Sequence, residues 1–134
     1  MAANFVGPAG VTVTTPAARD PLVKVGILEV ADGSTGFAAF VLPKYAVPIG
    51  VYTISAGANA TQTINVGYTN GGVELLSAFA PNSTGYAVSG AATGAGVGVQ
   101  LTADKTVYLK ASATLTNPVI VKVEYYIPPQ GLTL

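Results

Sequence analysis

Residues 105–127 read KTVYLKASATLTNPVIVKVEYYI, and this stretch decides the fold. Apolar and polar side chains alternate strictly in two runs, 105–115 and 118–127, around the strand-breaking sequence Thr116-Asn117-Pro118. Successive side chains of a β-strand point to opposite faces, so each run is predicted to be a strand with one buried face. We predict that the two strands pair as a β-hairpin. The predicted buried faces consist of Val107, Leu109, Ala111, Ala113 and Leu115, and of Val119, Val121, Val123, Tyr125 and Ile127.

Shorter runs of the same kind fill the rest of the chain between turn residues such as Gly, Asn and Pro. Together with the two long strands they recur at roughly 8–12-residue spacing, which is typical of an antiparallel sandwich or barrel. Strands do not alternate with helices, which excludes a parallel α/β sheet. The only passable helical stretch is 74–79, where we predict a single turn. The shorter predicted strands are 22–31, 37–42, 49–56, 62–69, 84–89 and 97–101.

The first of these strands changes phase near Gly26. Val23, Val25 and Ile27 share one face, whereas the apolar residues that follow share the other. A glycine at such a change of phase predicts either a β-bulge or a strand that is buried on both faces.

Residues 1–21 are predicted to form an extended N-terminal arm, and residues 22–134 a β-sandwich domain of jelly-roll type. Pro and Gly prevent a helix in the first segment, and the alternation over 11–14 suffices for one short edge strand. A disordered terminus is the alternative to an arm that pairs with a neighbouring subunit. If the arm makes such a contact, the candidate interface residues are Phe5, Val11, Val13 and Arg19.

The composition excludes several classes of function. The chain has no Cys and no His, so we expect no disulfide framework, no thiolate or imidazole metal site and no His-based acid–base chemistry. Six basic and six acidic residues cancel, which removes the basic field that nucleic acid or an anionic membrane normally requires. Only 9% of residues are charged, against roughly 25% in an ordinary domain. A neutral, Thr-rich surface would explain this, but the apolar half of the chain favours a surface covered in an assembly.

No pattern predicts a catalytic centre, a cofactor or a metal, and we expect a protein that is not an enzyme. The run Gly94-Ala95-Gly96-Val97-Gly98 invites comparison with a phosphate loop, but neither a helix nor a Lys-Ser/Thr pair follows it, so a flexible loop is predicted. A glycosidase needs two carboxylates across one sugar. Most of the acids here lie at turns or in strands near lysines, where solvated cross-strand pairs explain them better.

Other sequence signals are weak. Asn59 and Asn82 begin N-glycosylation patterns, which we interpret as chance matches because the chain has neither a signal-peptide pattern nor cysteine. The seven tyrosines could stack on sugars, but the absence of Trp favours core and subunit packing. The charge-free stretches 45–73 and 75–103 are broken by Gly, Asn, Ser, Thr or Pro, so neither is predicted to span a membrane as a helix.

Four motifs carry a family resemblance: FVLPK at 40–44, ATQTINVG at 60–67, VQLTADK at 99–105 and VKVEY at 121–125. With the arrangement from Phe37 to Ile127, they resemble small structural proteins of tailed-bacteriophage heads, the decoration (cement) and head-fibre proteins. The resemblance implies a jelly-roll-like sandwich, often trimeric, that sits on the outer capsid between major capsid subunits. Such cement proteins brace the shell against the pressure of packaged DNA.

The predicted function is therefore that of a capsid decoration protein on the virion surface, which binds the outside of the major capsid shell and stabilises it. Its predicted partners are the major capsid protein and further copies of itself, as a homotrimer, without nucleic acid, membrane or cofactor. The alternative from another class is a receptor- or carbohydrate-binding head or tail fibre domain, which would use an exposed tyrosine cluster in a groove among the loops.

Overall fold

The chain forms ten strands within the residues that the computed structural model describes, which are 4–6, 12–14, 22–59, 61–81, 85–88, 93–129 and 132–133. A short 3-10 turn at Val30–Asp32 follows the third strand. The strands are β1 Asn4–Val6, β2 Thr12–Thr14, β3 Leu22–Leu28, β4 Phe37–Leu42, β5 Val47–Ser55, β6 Ile64–Gly67, β7 Leu76–Phe79, β8 Gly85–Val88, β9 Lys105–Ala111 and β10 Val119–Tyr126.

Eight of these strands form two four-stranded sheets. The first sheet has the order β3-β10-β5-β8 and the second has the order β4-β9-β6-β7, and the pairs within both sheets are antiparallel. Apart from the β6–β7 hairpin, each strand is followed in sequence by one in the opposite sheet. This is the strand order of an eight-stranded jelly roll, so the predicted all-β, antiparallel sandwich is confirmed.

The predicted hairpin between the two long strands is wrong. β9 pairs with β4 and β6 in the second sheet, whereas β10 pairs with β3 and β5 in the first. The strand ends at Ala111, Ala113 is exposed, and residues 112–118 lead across the sandwich with Leu115 buried on the way. Alternation determines which face of a strand is buried, but two strands that face one another across a core show the same alternation as two that pair.

The predicted core faces of these strands are confirmed except at Ala113 and at the partly buried Ile127. Their apolar residues meet between the sheets, where Val107, Leu109, Val119, Val121 and Val123 are all fully buried. Burial of a Val or Leu side chain contributes roughly 1.5–3 kcal/mol, so this shared core provides much of the stability of the sandwich.

Two local predictions are also wrong. Residues 74–79 contain no helical turn, because Leu75 and Leu76 are both fully buried and the chain pairs with β6 as strand β7. Residues 97–101 do not form a strand: a turn covers 95–98 and irregular chain follows it. Backbone hydrogen bonds at both the N–H and the C=O of Leu101 connect the end of this range to the loop at Tyr45 and Ala46.

Gly26 is a site of close packing and not a bulge. The register between β3 and β10 continues unbroken through it. A Cβ atom at this position would lie 2.9 Å from Leu109 Cδ1 and 3.0 Å from Ala39 Cβ. The glycine therefore lets the core of the second sheet approach the first.

The N-terminal segment contains a small sheet of its own. β1 and β2 pair antiparallel, with Phe5 opposite Val13. Val11 and Arg19 lie outside the described residues. The division into an arm at 1–21 and a sandwich at 22–134 stays a prediction.

Candidate interaction surface

The outer side of the first sheet carries apolar side chains in positions that are usually polar. On β3, Gly26 and Leu28 face the core, so the intervening residues face outward. Val23, Val25 and Ile27 are 42%, 53% and 48% exposed. Antiparallel sheets with one solvated face normally alternate apolar residues inside with polar residues outside. An edge strand that is apolar on its outer side therefore marks a candidate contact surface.

Strand register extends this surface over three strands. Ile120 on β10 lies opposite Ile27 on β3 and Ile54 on β5. The two following outward positions of β10 are charged. Hereafter the outer face means the three rows Ile27–Ile120–Ile54, Val25–Lys122–Tyr52 and Val23–Glu124–Gly50.

A shallow apolar groove lies at the isoleucine end of the outer face. It has a volume of about 280 Å³ and is lined by Ile27, Glu29, Ile54, Ala56, Pro118 and Ile120. Sites for small organic ligands usually enclose about 300–1,000 Å³ and combine apolar walls with several converging polar groups. This open groove has almost no polar lining, so it suits an apolar side chain of a macromolecular partner better than a small ligand.

The two charges on the outer face are opposite in sign and close together. Lys122 and Glu124 are two residues apart on β10, so their Cα atoms lie roughly 6.6 Å from one another. Neither forms an ion pair within the part of the chain that the structure describes. Val25 and Tyr52 flank the lysine, while Val23 and Gly50 flank the glutamate. The face is thus largely apolar and carries no net charge on β10.

Gly50 makes room for the aromatic ring beside it. A Cβ atom at Gly50 would lie 2.8 Å from the Tyr52 hydroxyl oxygen and 3.0–3.1 Å from atoms of its ring. The Tyr52 ring therefore lies along its own strand over Gly50, which flattens this part of the outer face.

Sequence reasoning did not identify this surface. The four predicted interface residues belong to the N-terminal segment, where the structure places only the backbones of Phe5 and Val13 opposite one another. The available signal was the alternation of Val23, Val25 and Ile27 on the side of β3 opposite Leu28. One interpretation of that pattern was a strand that is buried on both faces. In the single chain, β3 is buried on its core face, whereas Val23, Val25 and Ile27 on its other face are exposed.

The glycine run at 94–98 is packed against the β6–β7 connection. Gly94 N donates to Leu75 O at 3.1 Å, and Gly96 N donates to Glu74 O at 2.7 Å. A Cβ atom at Gly94 would overlap the carbonyl oxygens of Val73 and Glu74. These glycines therefore permit close backbone contact, and no helix follows them as a phosphate loop would require.

Asn59 is a structural residue. It is fully buried, and its Oδ1 accepts hydrogen bonds from Thr116 N at 2.8 Å and Asn117 N at 2.9 Å. Its Nδ2 donates to Ser55 Oγ at 3.2 Å. A buried amide with these partners is inaccessible to glycosylation in the folded chain. This agrees with the interpretation of the Asn59 glycosylation pattern as a chance match. The second such pattern, at 82–84, lies outside the described residues.

Tyr68 is a titratable group with a perturbed pKa. Burial raises the pKa of Tyr68 to about 12, and the nearby Glu74 carboxylate adds to this effect. The hydroxyl is buried without a hydrogen-bond partner in the described part of the chain. Tyr68 is therefore neutral at ordinary pH and is unsuited to acid–base catalysis there.

The described residues have neither a metal-binding cluster nor a membrane-spanning helix. They contain no cluster of three or more potential metal-ligating side chains. No helix among them is both long enough and apolar enough to cross a bilayer.

Comparison with solved structures identifies the fold in phage capsids. A chain of the cyanophage Pam1 capsid asymmetric unit is similar with a TM-score of 0.60 and 20% identity, over 94% of this chain and 94% of that one. A chain from the capsid of Ralstonia phage GP4 has a TM-score of 0.59 and 19% identity, over 87% of this chain and 90% of that one. The sequence matches no protein-family model and no curated protein. At these identities the likeness establishes a shared jelly-roll fold.

Proposed function

We propose that this chain is a virion structural protein, and specifically a decoration protein that binds the outside of the major capsid shell and stabilises it. The observation that carries the proposal is the structural match to a chain of the Pam1 capsid over 94% of both chains. Agreement over nearly the full length of both chains means that the two share a whole architecture and not a common motif. The resemblance seen in the sequence motifs supports the same assignment.

The mechanism is non-enzymatic bridging. A decoration protein binds several neighbouring capsid subunits at once, and each further contact is made at a high effective concentration. Modest individual contacts then add to a strong attachment that opposes separation of the subunits. The apolar outer face and the N-terminal segment provide two separate surfaces for such contacts.

Self-association belongs to the same proposal. A homotrimer, implied by the resemblance, presents three capsid-binding surfaces together. The low charge content, 9%, supports a surface that is covered in an assembly. Light scattering of the purified protein tests this, and a monomer at all concentrations and on the particle would contradict it.

Electron microscopy of native particles tests the location. We expect density for one jelly roll per chain on the outer capsid, in contact with the major capsid protein. Particles assembled without this protein should release DNA at a lower temperature than wild-type particles. Density within the tail, or unchanged heat resistance after its removal, would contradict the assignment.

A receptor- or carbohydrate-binding fibre domain is the second candidate. The observation that favours it is Tyr45, which is 43% exposed at a loop, with Lys44 Nζ 4.9 Å from its ring centre. A glycan-binding assay on the purified protein tests this function, and Tyr45→Ala should abolish any binding that is found. Absence of glycan binding together with density on the capsid shell would exclude it.

A further inference from the structure

We propose that copies of this chain contact one another through the outer face of the first sheet, with Lys122 of one copy against Glu124 of the next. The inference rests on the proposed function insofar as that function includes self-association, and it assigns the surface and the residue pair that achieve it.

The chemistry of the outer face defines what can cover it. A matching partner must offer apolar side chains to Val25, Ile27 and Ile120, together with an anion near Lys122 and a cation near Glu124. The outer face has that same combination, because its own two charges are opposite in sign and neighbouring. A second copy therefore meets the requirement without any further specificity element.

The lack of an ion pair for either charge among the described residues favours this partner. Neither Lys122 nor Glu124 forms an ion pair within the described part of its own chain. Covering an apolar face that contains an unpaired charge is costly, whereas a charge partner on the arriving copy removes that cost. Each copy supplies one lysine and one glutamate, so the contact can repeat around a closed ring or act reciprocally across a twofold axis.

Contact through the face is favoured over strand addition at the edge of the sheet. β3 is an edge strand, and an open edge can pair with another chain. However, Lys24 lies in the middle of β3 and is exposed. A lysine on an edge strand discourages edge-to-edge pairing. The outward apolar residues of β3 project perpendicular to the sheet, so a second copy can cover them without pairing with the edge of β3.

Charge substitutions test the pairing directly. Lys122→Glu and Glu124→Lys each place like charges in contact, and each should weaken self-association by about tenfold at low salt. The double variant K122E/E124K exchanges the charges within every copy and should restore wild-type association. Lys110→Glu makes the same change on the outer side of the second sheet and should have no effect. Dissociation is measured by sedimentation equilibrium, with circular dichroism to establish that each variant is folded.

A second pair of variants tests the apolar part of the outer face. Val25→Asp on the outer face and Val41→Asp on the second sheet change residues that are 53% and 48% exposed. Only Val25→Asp should reduce association. The proposal is overturned if the wild-type protein is monomeric, if the double charge variant is not restored, or if Lys110→Glu and Val41→Asp weaken association as much as their counterparts.

These outcomes are independent of the location on the particle. Loss of association in the single variants with recovery in the double variant upholds the self-contact even if microscopy finds no protein on the capsid. Conversely, the protein can be found on the capsid while none of these substitutions changes its self-association. That result upholds the decoration function and overturns the self-contact.

Discussion

At the residue scale, Asn59 shows how one side chain holds distant segments together. Its carbonyl oxygen accepts from two backbone N–H groups that are 57 and 58 residues away in sequence. Asn59→Ala would leave these part-buried donors without their acceptor, and we expect a loss of about 1–3 kcal/mol in the free energy of unfolding. Asn117→Ala removes only a hydrogen bond to Ala58 O and should cost about 1 kcal/mol. Urea denaturation measures both, and equal losses would contradict this role of Asn59.

Tyr68 predicts a specific dependence of stability on pH. Because its pKa is about 12 when folded and 10.0 in the reference state, the folded chain retains a proton that the unfolded chain releases between these values. Its contribution to stability is therefore complete below pH 10 and is lost as the pH rises toward 12. Tyr68→Phe removes this pH dependence, together with a buried hydroxyl that has no hydrogen-bond partner among the described residues. The variant should be at least as stable at pH 7, and its melting temperature should fall less between pH 9.5 and 11.5. Parallel melting curves for the two proteins over that range would contradict the prediction.

Neither role was predictable from sequence. Asn59 lies in a turn sequence that many surface loops share, and its partners become neighbours only when the connection between β9 and β10 crosses the sandwich. Tyr68 does follow the alternation of β6, which predicts a partly apolar setting. That alternation does not indicate whether a described residue lies within hydrogen-bond distance of its hydroxyl, and none does.

At the element scale, the sequence predicts strand faces well and strand partners poorly. Val107 and Leu109, like Val119 and Val121, are buried as their alternation indicates. Their placement in opposite sheets follows from closure of the jelly roll, in which neighbouring strands usually change sheet. Residues 112–118 contain the same Asn-Pro signal that a hairpin loop would have, so local sequence does not distinguish the two connections.

The glycine run at 94–98 provides an element-scale prediction. Gly94→Ala would force a methyl group into the backbone at Val73 and Glu74, which cannot move aside cheaply, and should cost about 3 kcal/mol. Gly98→Ala is the matched control, since Gly98 has a φ of 85° but no atom within 4 Å of the added Cβ. It should cost about 1 kcal/mol through backbone strain alone. Chemical denaturation compares them, and a larger loss for Gly98→Ala would show that the run is not held by close packing.

At the scale of the whole molecule, the apolar residues of this sparsely charged chain include two sets with different surroundings. The two sheets bury one set between them, and the outer face of the first sheet exposes another. Composition and the family resemblance together predicted an assembling protein, but not its contact surface. The surface proposed here depends on three strands which are distant in sequence and are brought side by side by the jelly roll.

Deletion of residues 2–21 tests the N-terminal segment at this same scale. β1 and β2 pair with one another and belong to neither four-stranded sheet, so the sandwich retains all of its strand pairs when they are removed. We expect the truncated chain to melt within a few degrees of the full-length protein, while its occupancy on the capsid or its self-association falls sharply, because this segment is proposed to contact a neighbour. Alanine replacement of Phe5, Val11, Val13 and Arg19 in the full-length chain should reproduce the loss without any truncation. A truncated chain that cannot fold, beside a full-length protein that is a stable monomer, would instead place residues 2–21 within the sandwich core.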